Sequence, residues 1–128
     1  MRVRCIAEMP DEAQVARLGG AEALRDRAFS LQLGQEYLVY GIETAGDMVW
    51  IYIADEYEQL SPVPICLFSV EDSRVPSDWD VHVAEDWGVF IGFATLMRGG
   101  FMDDLLAGNS AALDEFRRMS ASFREEGE

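Results

Sequence analysis

The stretch from Glu36 to Ala54, EYLVYGIETAGDMVWIYIA, constrains the fold more than any other. Two runs rich in β-branched and aromatic residues, Tyr37 to Ile42 and Met48 to Ile53, flank Glu43-Thr44-Ala45-Gly46-Asp47 and predict a β-hairpin. Alternation puts Leu38, Tyr40 and Ile42 on one face of the first strand, with Tyr37 and Val39 on the other. In the second strand Val49, Ile51 and Ile53 oppose Met48, Trp50 and Tyr52. Both faces are therefore apolar, whereas a sheet with one wet face alternates between apolar and polar residues. The hairpin is expected at the centre of an antiparallel sheet covered on both sides, its aromatic face either under helices or offered to a partner.

Around this centre the chain reads as further short strands. Arg2 to Ala7 predicts a first strand with Val3 and Cys5 on one side, ended by Pro10. Asp11 to Leu18 and Ala21 to Ala28 favour short helical turns, interrupted by Gly19-Gly20. Phe29, Leu31 and Leu33 resume an alternation that Gly34 turns into the hairpin. After the acidic segment 54–60, Pro62 and Pro64 predict a loop, because neither can donate to a ladder. Ile65 to Val70 predicts a short strand, Glu71-Asp72-Ser73 a turn, and Val75 to Trp79 an extended corner whose Trp79 plugs an end of the core. Val81 and Val83 alternate with Asp80, His82 and Ala84 in another strand. Glu85-Asp86 turns into Trp87 to Phe93, where Trp87, Val89, Ile91 and Phe93 share a face and Gly88 and Gly92 signal a bulge or a close backbone approach. Beyond Gly99-Gly100 the period becomes helical. Phe101 to Ala107 makes two turns closed by Gly108, and Asn109 or Ser110 caps a longer helix to about Arg124, with a stripe of Ala112, Leu113, Phe116, Met119 or Ser120, and Phe123. The expected fold is α+β: a curled, mainly antiparallel sheet of about six to eight strands, with a C-terminal helix and short N-terminal helical turns, in one domain spanning 1–128.

Charge is the strongest compositional fact. The formal net charge is −14, and residues 29–97 carry twelve acids against the single Arg74, so nearly the whole excess lies on the predicted sheet region. Such a field repels nucleic acid and anionic membranes and steers cationic partners inward. Its competing reading is solubility alone. Cys5 and Cys66 each sit beside an isoleucine, which suits small buried hydrophobes in a reducing compartment better than a disulfide framework. The N-terminal apolar patch is too short for a signal peptide or a membrane span, so a cytoplasmic location is expected.

Motifs that carry chemistry are sparse. His82 alternates with Asp80, yet no serine or cysteine motif points at it as a nucleophile, and a surface or core histidine is the simpler reading. Asp55, Glu56 and Glu58, and Asp78 with Asp80, offer oxygen ligands without the spacing of a calcium loop. No phosphate-binding glycine loop, CxxC pair or HExxH occurs, and no enzyme, cofactor or metal is expected, with a small enzyme whose acids bind metal kept as a further alternative. Tyr57 and Trp87 are embedded among acids: Asp55, Glu56 and Glu58 around the first, Glu85 and Asp86 before the second. Aromatic anchors in an anionic rim suit a binder of a basic surface, though each ring could equally lid the core.

Several segments together resemble small bacterial immunity proteins of polymorphic toxin and contact-dependent growth-inhibition systems. The likeness rests on Leu33, Gly34, Glu36 and Tyr37, on Val39, Tyr40 and Gly41, on Trp50 and Tyr52, on Pro62 and Pro64, on Leu67 and Phe68, and on Pro76, Ser77 and Trp79. Val63 departs from it, standing where an aromatic precedes the second proline. The resemblance implies a cytoplasmic inhibitor that binds one cognate toxin domain and supplies no catalytic residues, and the acidic charge points to a basic, nuclease-type domain as that partner. The expected contacts are Asp55, Glu56, Tyr57, Glu58, Asp86 and Trp87, with Glu71, Asp72, Asp78 and Asp80 as a second acidic set. The alternative is a self-associating structural or regulatory module that uses the aromatic hairpin face or an edge strand. The oligomeric state is left open.

Overall fold

A computed structural model describes residues 1–9, 11–17, 31–45, 48–54, 60–85, 88–97 and 99–126, with the backbone alone at 15, 17, 45, 84 and 122–126. The fold is α+β, built on a seven-stranded open sheet whose pairings are all antiparallel. The strands are β1 (Arg2–Cys5), β2 (Glu36–Ala45), β3 (Met48–Ala54), β4 (Leu60–Pro64), β5 (Phe68–Asp72), β6 (Trp79–Ala84) and β7 (Gly88–Phe93). The helices among the described residues are α1 (Glu12–Arg17), α2 (Phe101–Leu106) and α3 (Ser110–Glu126).

The predicted hairpin is the hub. From Val39 to Ala45 one edge of β2 pairs with β3, which carries β4 beyond it. The other edge is shared, because Glu36–Leu38 pair with β1 and Gly41–Ala45 pair with β7. The sheet therefore forks there, one branch ending in β5 and the other in β6.

Apolar clusters cover both faces of the hub. On one face Val3, Cys5, Leu31, Tyr37, Val39, Ile51, Ile53, Val63, Leu67 and Phe68 pack together. On the other, Tyr40, Tyr52, Leu60, Phe90 and Phe93 meet Leu96 and the helical residues Phe101, Leu105, Ala112 and Phe116. Burial of these side chains supplies the main driving force for folding. Trp79 touches both clusters and stacks edge-on against Phe93, at 5.7 Å between centroids, as expected of a plug at the core's end.

Ile42 corrects the expected facing. Val39 pairs with Ile53 and Gly41 with Tyr52, so Tyr40 and Gly41 together oppose one β3 residue. This β-bulge shifts the two-residue period by one. Ile42 consequently packs with the Val39 cluster, away from Tyr40. The bulge also brings Phe90 onto bare backbone: a Cβ added to Gly41 would lie 2.5 Å from the Phe90 ring, and one on Gly92 would lie 2.7 Å from the Tyr40 carbonyl oxygen. Gly92 thus serves the close approach its position in a strand suggested.

Other boundaries differ for local reasons. Glu43 and Thr44 belong to the ladder rather than the turn, paired with Trp50 and Val49. Residues 60–64 form an edge strand instead of a loop. Pro62 and Pro64 are two apart, so both missing N–H groups fall on one side of the strand, and an edge strand tolerates that because only one of its sides must pair. Ile65–Leu67 form a 3-10 turn that sends Leu67 inward, and β5 begins only at Phe68 and runs through Glu71 and Asp72, which were expected in a turn. No strand forms at 31–35, where Leu31 is buried but Leu33 is 64% exposed before the Gly34 turn. Phe93 leaves the face of Val89 and Ile91 and joins Phe90 under the helices. The turns expected at 18–28, the Phe29 position, and Tyr57 and Trp87 lie outside the described residues.

The C-terminal helices follow the expected plan. Gly108, with φ of 82°, closes the chain after α2, and the Asn109 carboxamide oxygen accepts the Ala112 N–H at 3.1 Å as the cap of α3. The stripe of α3 buries Ala112, Phe116 and Ser120, and the Ser120 hydroxyl meets that of Tyr40 at 2.5 Å. That bond satisfies two hydroxyls in an apolar layer. Cys5 and Cys66 are thiols rather than a bridge. Cys5 is buried, which pushes its thiol pKa up, and its Sγ–H donates to the Ala7 carbonyl at 3.3 Å.

Candidate interaction surface

Besides Glu43, the acidic residues of the described sheet fall into two electrostatic classes. The first is answered by arginine. β1 lies between β2 and β5, so a side chain on its outer face reaches both neighbours. Arg4 does so: Nη2 donates to Glu36 at 2.7 Å, Nε to Glu71 at 3.2 Å, and Nη1 to the Gly34 carbonyl at 2.8 Å. The Ser69 hydroxyl adds a 3.1 Å bond to the same Glu71 oxygen.

Asp72 is held more tightly. The Arg74 guanidinium grips both carboxylate oxygens, with Nη2 at 2.7 Å and Nε at 3.0 and 3.3 Å, while the Arg74 backbone N–H donates at 3.0 Å. Arg2 approaches to 3.7 Å from β1. The Arg74 guanidinium, followed by its backbone N–H, holds the Asp72 carboxyl well below the usual carboxylate range. These charge-assisted bonds give Asp72 and Glu71 internal cationic partners at the surface.

The second class is open. Asp78 and Asp80 form no ion pair with any described residue. Asp80 Oδ1 accepts the Val81 N–H at 3.0 Å, and Asp78 takes a 3.3 Å bond from the Ser77 hydroxyl. Glu85 follows β6 on the surface, and His82 is exposed within it.

Asp72 and Asp78 also meet at a groove of about 370 Å³ where the sheet forks. Leu38 and Phe93 contribute apolar surface, Arg2 and Arg74 basic groups, and Val75-Pro76-Ser77 one wall. The fork arises because β1 stops pairing at Leu38 and β7 begins at Gly41.

No family model, curated protein sequence or solved structure matches the chain.

Of the expected contacts, Asp55, Glu56, Tyr57, Glu58, Asp86 and Trp87 lie outside the described residues. Glu71 and Asp72 lie on β5 and Asp78 and Asp80 on the β6 side, so the second acidic set spans both branches of the fork. The aromatic candidates of the hairpin divide between layers. Tyr37 stacks edge-on with Phe68 in one, and Tyr40 and Tyr52 pack against Phe116 and Phe90 in the other. Tyr52 also donates its hydroxyl to Glu43 at 2.9 Å, and burial, reinforced by that carboxylate, pushes its pKa above the ordinary tyrosine value. Among the described residues no group of three or more His, Cys, Asp or Glu is placed to hold a metal ion. No described helix is long and apolar enough to cross a membrane.

Sequence reasoning missed the exposed valines. Val75, Val81 and Val83 are 53%, 59% and 65% exposed, beside the open carboxylates. The signal was present in Asp80-Val81-His82-Val83, where alternation tells that one face is apolar but not that it stays uncovered.

Proposed function

We propose that this protein is a catalytically silent, cytoplasmic inhibitor of the immunity type, whose acidic sheet surface covers the basic, substrate-binding face of a cognate toxin domain. A nuclease is the toxin class that this charge fits best, because a cleft that attracts phosphate also attracts a protein presenting clustered carboxylates. The supporting observation is the uneven answer to the acidic excess. Arginines from β1 and Arg74 occupy Glu36, Glu71 and Asp72, whereas Asp78 and Asp80 meet no arginine among the described residues and lie beside exposed valines. Open charge around an apolar centre is the composition of a binding surface: the rim sets rate and specificity, and the centre supplies buried area.

Titration calorimetry against the basic effector domain encoded beside this gene tests the proposal. Binding is expected at low and physiological salt, weaker in the latter, with no turnover of the partner. Absence of heat at both salt concentrations would refute it.

A further inference from the structure

The forked sheet has three edges among the described residues, β4, β5 and β6, and two of them are protected against pairing. β4 contains Pro62 and Pro64. β5 has a register shift opposite Arg2/Val3, a bulge, and ends in the ion-paired Glu71 and Asp72. Prolines, bulges and charges are the devices by which sheets blunt their edges. β6 has none of the first two: it keeps regular register with β7 from Trp79↔Phe93 to Ala84↔Gly88 and contains no proline.

Its free side is set to pair. The Val89 N–H turns to the Thr44 hydroxyl at 3.1 Å, toward β2, so Val89 and Val83 face each other at a position where the β6 backbone groups point away from β7. Two residues earlier Val81 points the same way, and the Asp80 carboxylate fills in as its acceptor. We infer that β6 is a homodimerisation edge, at which two copies of this chain pair antiparallel about a two-fold axis through Val81.

Charge selects both the occupant and the register. With Val81 opposite its own copy, each Asp80 stands across from the partner copy's His82, in the narrow type of pair where side chains are closest. The imidazole N–H donates to that carboxylate, while Val81 N–H passes from Asp80 to the facing Val81 carbonyl. Val83 N–H reaches the facing Trp79 carbonyl, and the exposed valines of the two copies line one face. Moving one copy by two residues places like groups on the two-fold axis, either Asp80 against Asp80 or His82 against His82. The net charge of −14 on each copy opposes association over a distance that salt shortens. Because this edge also carries Asp80 and the valines assigned to docking, the second copy and a cationic partner compete for it, and dimerisation strengthens with added salt, opposite in sign to docking.

Sedimentation equilibrium of the full chain over a concentration and salt series tests this, together with amide exchange at Val83. The expected result is a rise from the 14.3 kDa monomer to twice that mass, favoured by salt, with Val83 exchange slowing in parallel. H82D should weaken the dimer by about tenfold, since both symmetric pairs become repulsive, and the double variant D80H/H82D should restore it to within about threefold. A monomer throughout, a dimer indifferent to H82D, or one that leaves Val83 exchange unchanged would overturn the assignment. So would Val83 protection that appears only when a basic effector domain is added, since the edge then serves another protein.

Discussion

Replacing Gly92 by alanine tests whether the bulge at Tyr40-Gly41 and the seat of Phe90 organise the core. The added Cβ would stand 2.7 Å from the Tyr40 carbonyl oxygen, 2.8 Å from Gly41 Cα and 2.9 Å from the Phe90 ring. Two of these three neighbours are backbone atoms of the central strand, so no rotamer change relieves the clash. Overpacking of this kind costs about 1–3 kcal/mol, and fixed neighbours put Gly92→Ala at the upper end, ~3 kcal/mol. For a chain of 128 residues, with an unfolding entropy of about 2.1 cal/mol/K per residue, that lowers Tm by about 11 °C. Gly41→Ala meets chiefly the Phe90 ring, at 2.5 and 3.0 Å, so shortening that ring should rescue it. Differential scanning calorimetry of Gly92→Ala and Gly41→Ala, each with and without Phe90→Leu, reads both effects. Phe90→Leu should offset much of the Gly41→Ala loss and little of the Gly92→Ala loss. Gly99→Ala, with nothing within 4 Å, should leave Tm unchanged or slightly raised. If Gly92→Ala melts with the wild type, or Phe90→Leu rescues it fully, the close-approach reasoning is wrong.

Other outcomes follow from buried polar groups and from charge. Tyr40→Phe and Ser120→Ala each leave a buried hydroxyl without its partner and should cost about 1–3 kcal/mol, while the double variant costs less than their sum, by urea midpoints. Asp72 is held below its unfolded value of 3.8, so its contribution is present above that pH and disappears as pH falls through the lowered native value. The gap between wild type and Asp72→Asn should accordingly close in acid. Tyr52 has the opposite sign: its pKa is raised above 10.0, so stability holds below that pH and declines above it as the unfolded chain alone ionises. Tyr52→Phe should flatten this alkaline decline.

Much of the architecture is written in local pattern. The β-branched runs of β2 and β3, the glycine after α2 and the Asn109 cap each carry a signal within a few residues of where it acts. The departures needed tertiary information. Pro62 and Pro64 exclude a central strand but not an edge, and only the pairing with β3 decides. The Tyr40-Gly41 bulge inverts the side of Ile42, and a two-residue alternation cannot encode its own interruption. The charge class of each acid was equally hidden. Glu71 meets Arg4 across a separation of 67 residues, so clustering in sequence did not tell Glu71 and Asp72, which are answered, from Asp78 and Asp80, which meet no arginine among the described residues. Tyr57 and the 55–58 acids fall outside the described residues, as do Asp86 and Trp87, and their place in the surface rests on the sequence.

The most direct test of the docking proposal is the association rate with the neighbouring basic effector domain, measured by stopped-flow over a series of ionic strengths for the wild type and for Asp78→Asn/Asp80→Asn. The account predicts a rate that falls steeply with salt in the wild type, and a slower rate with a shallower salt slope in the variant. Equal rates and equal slopes for the two proteins would contradict it.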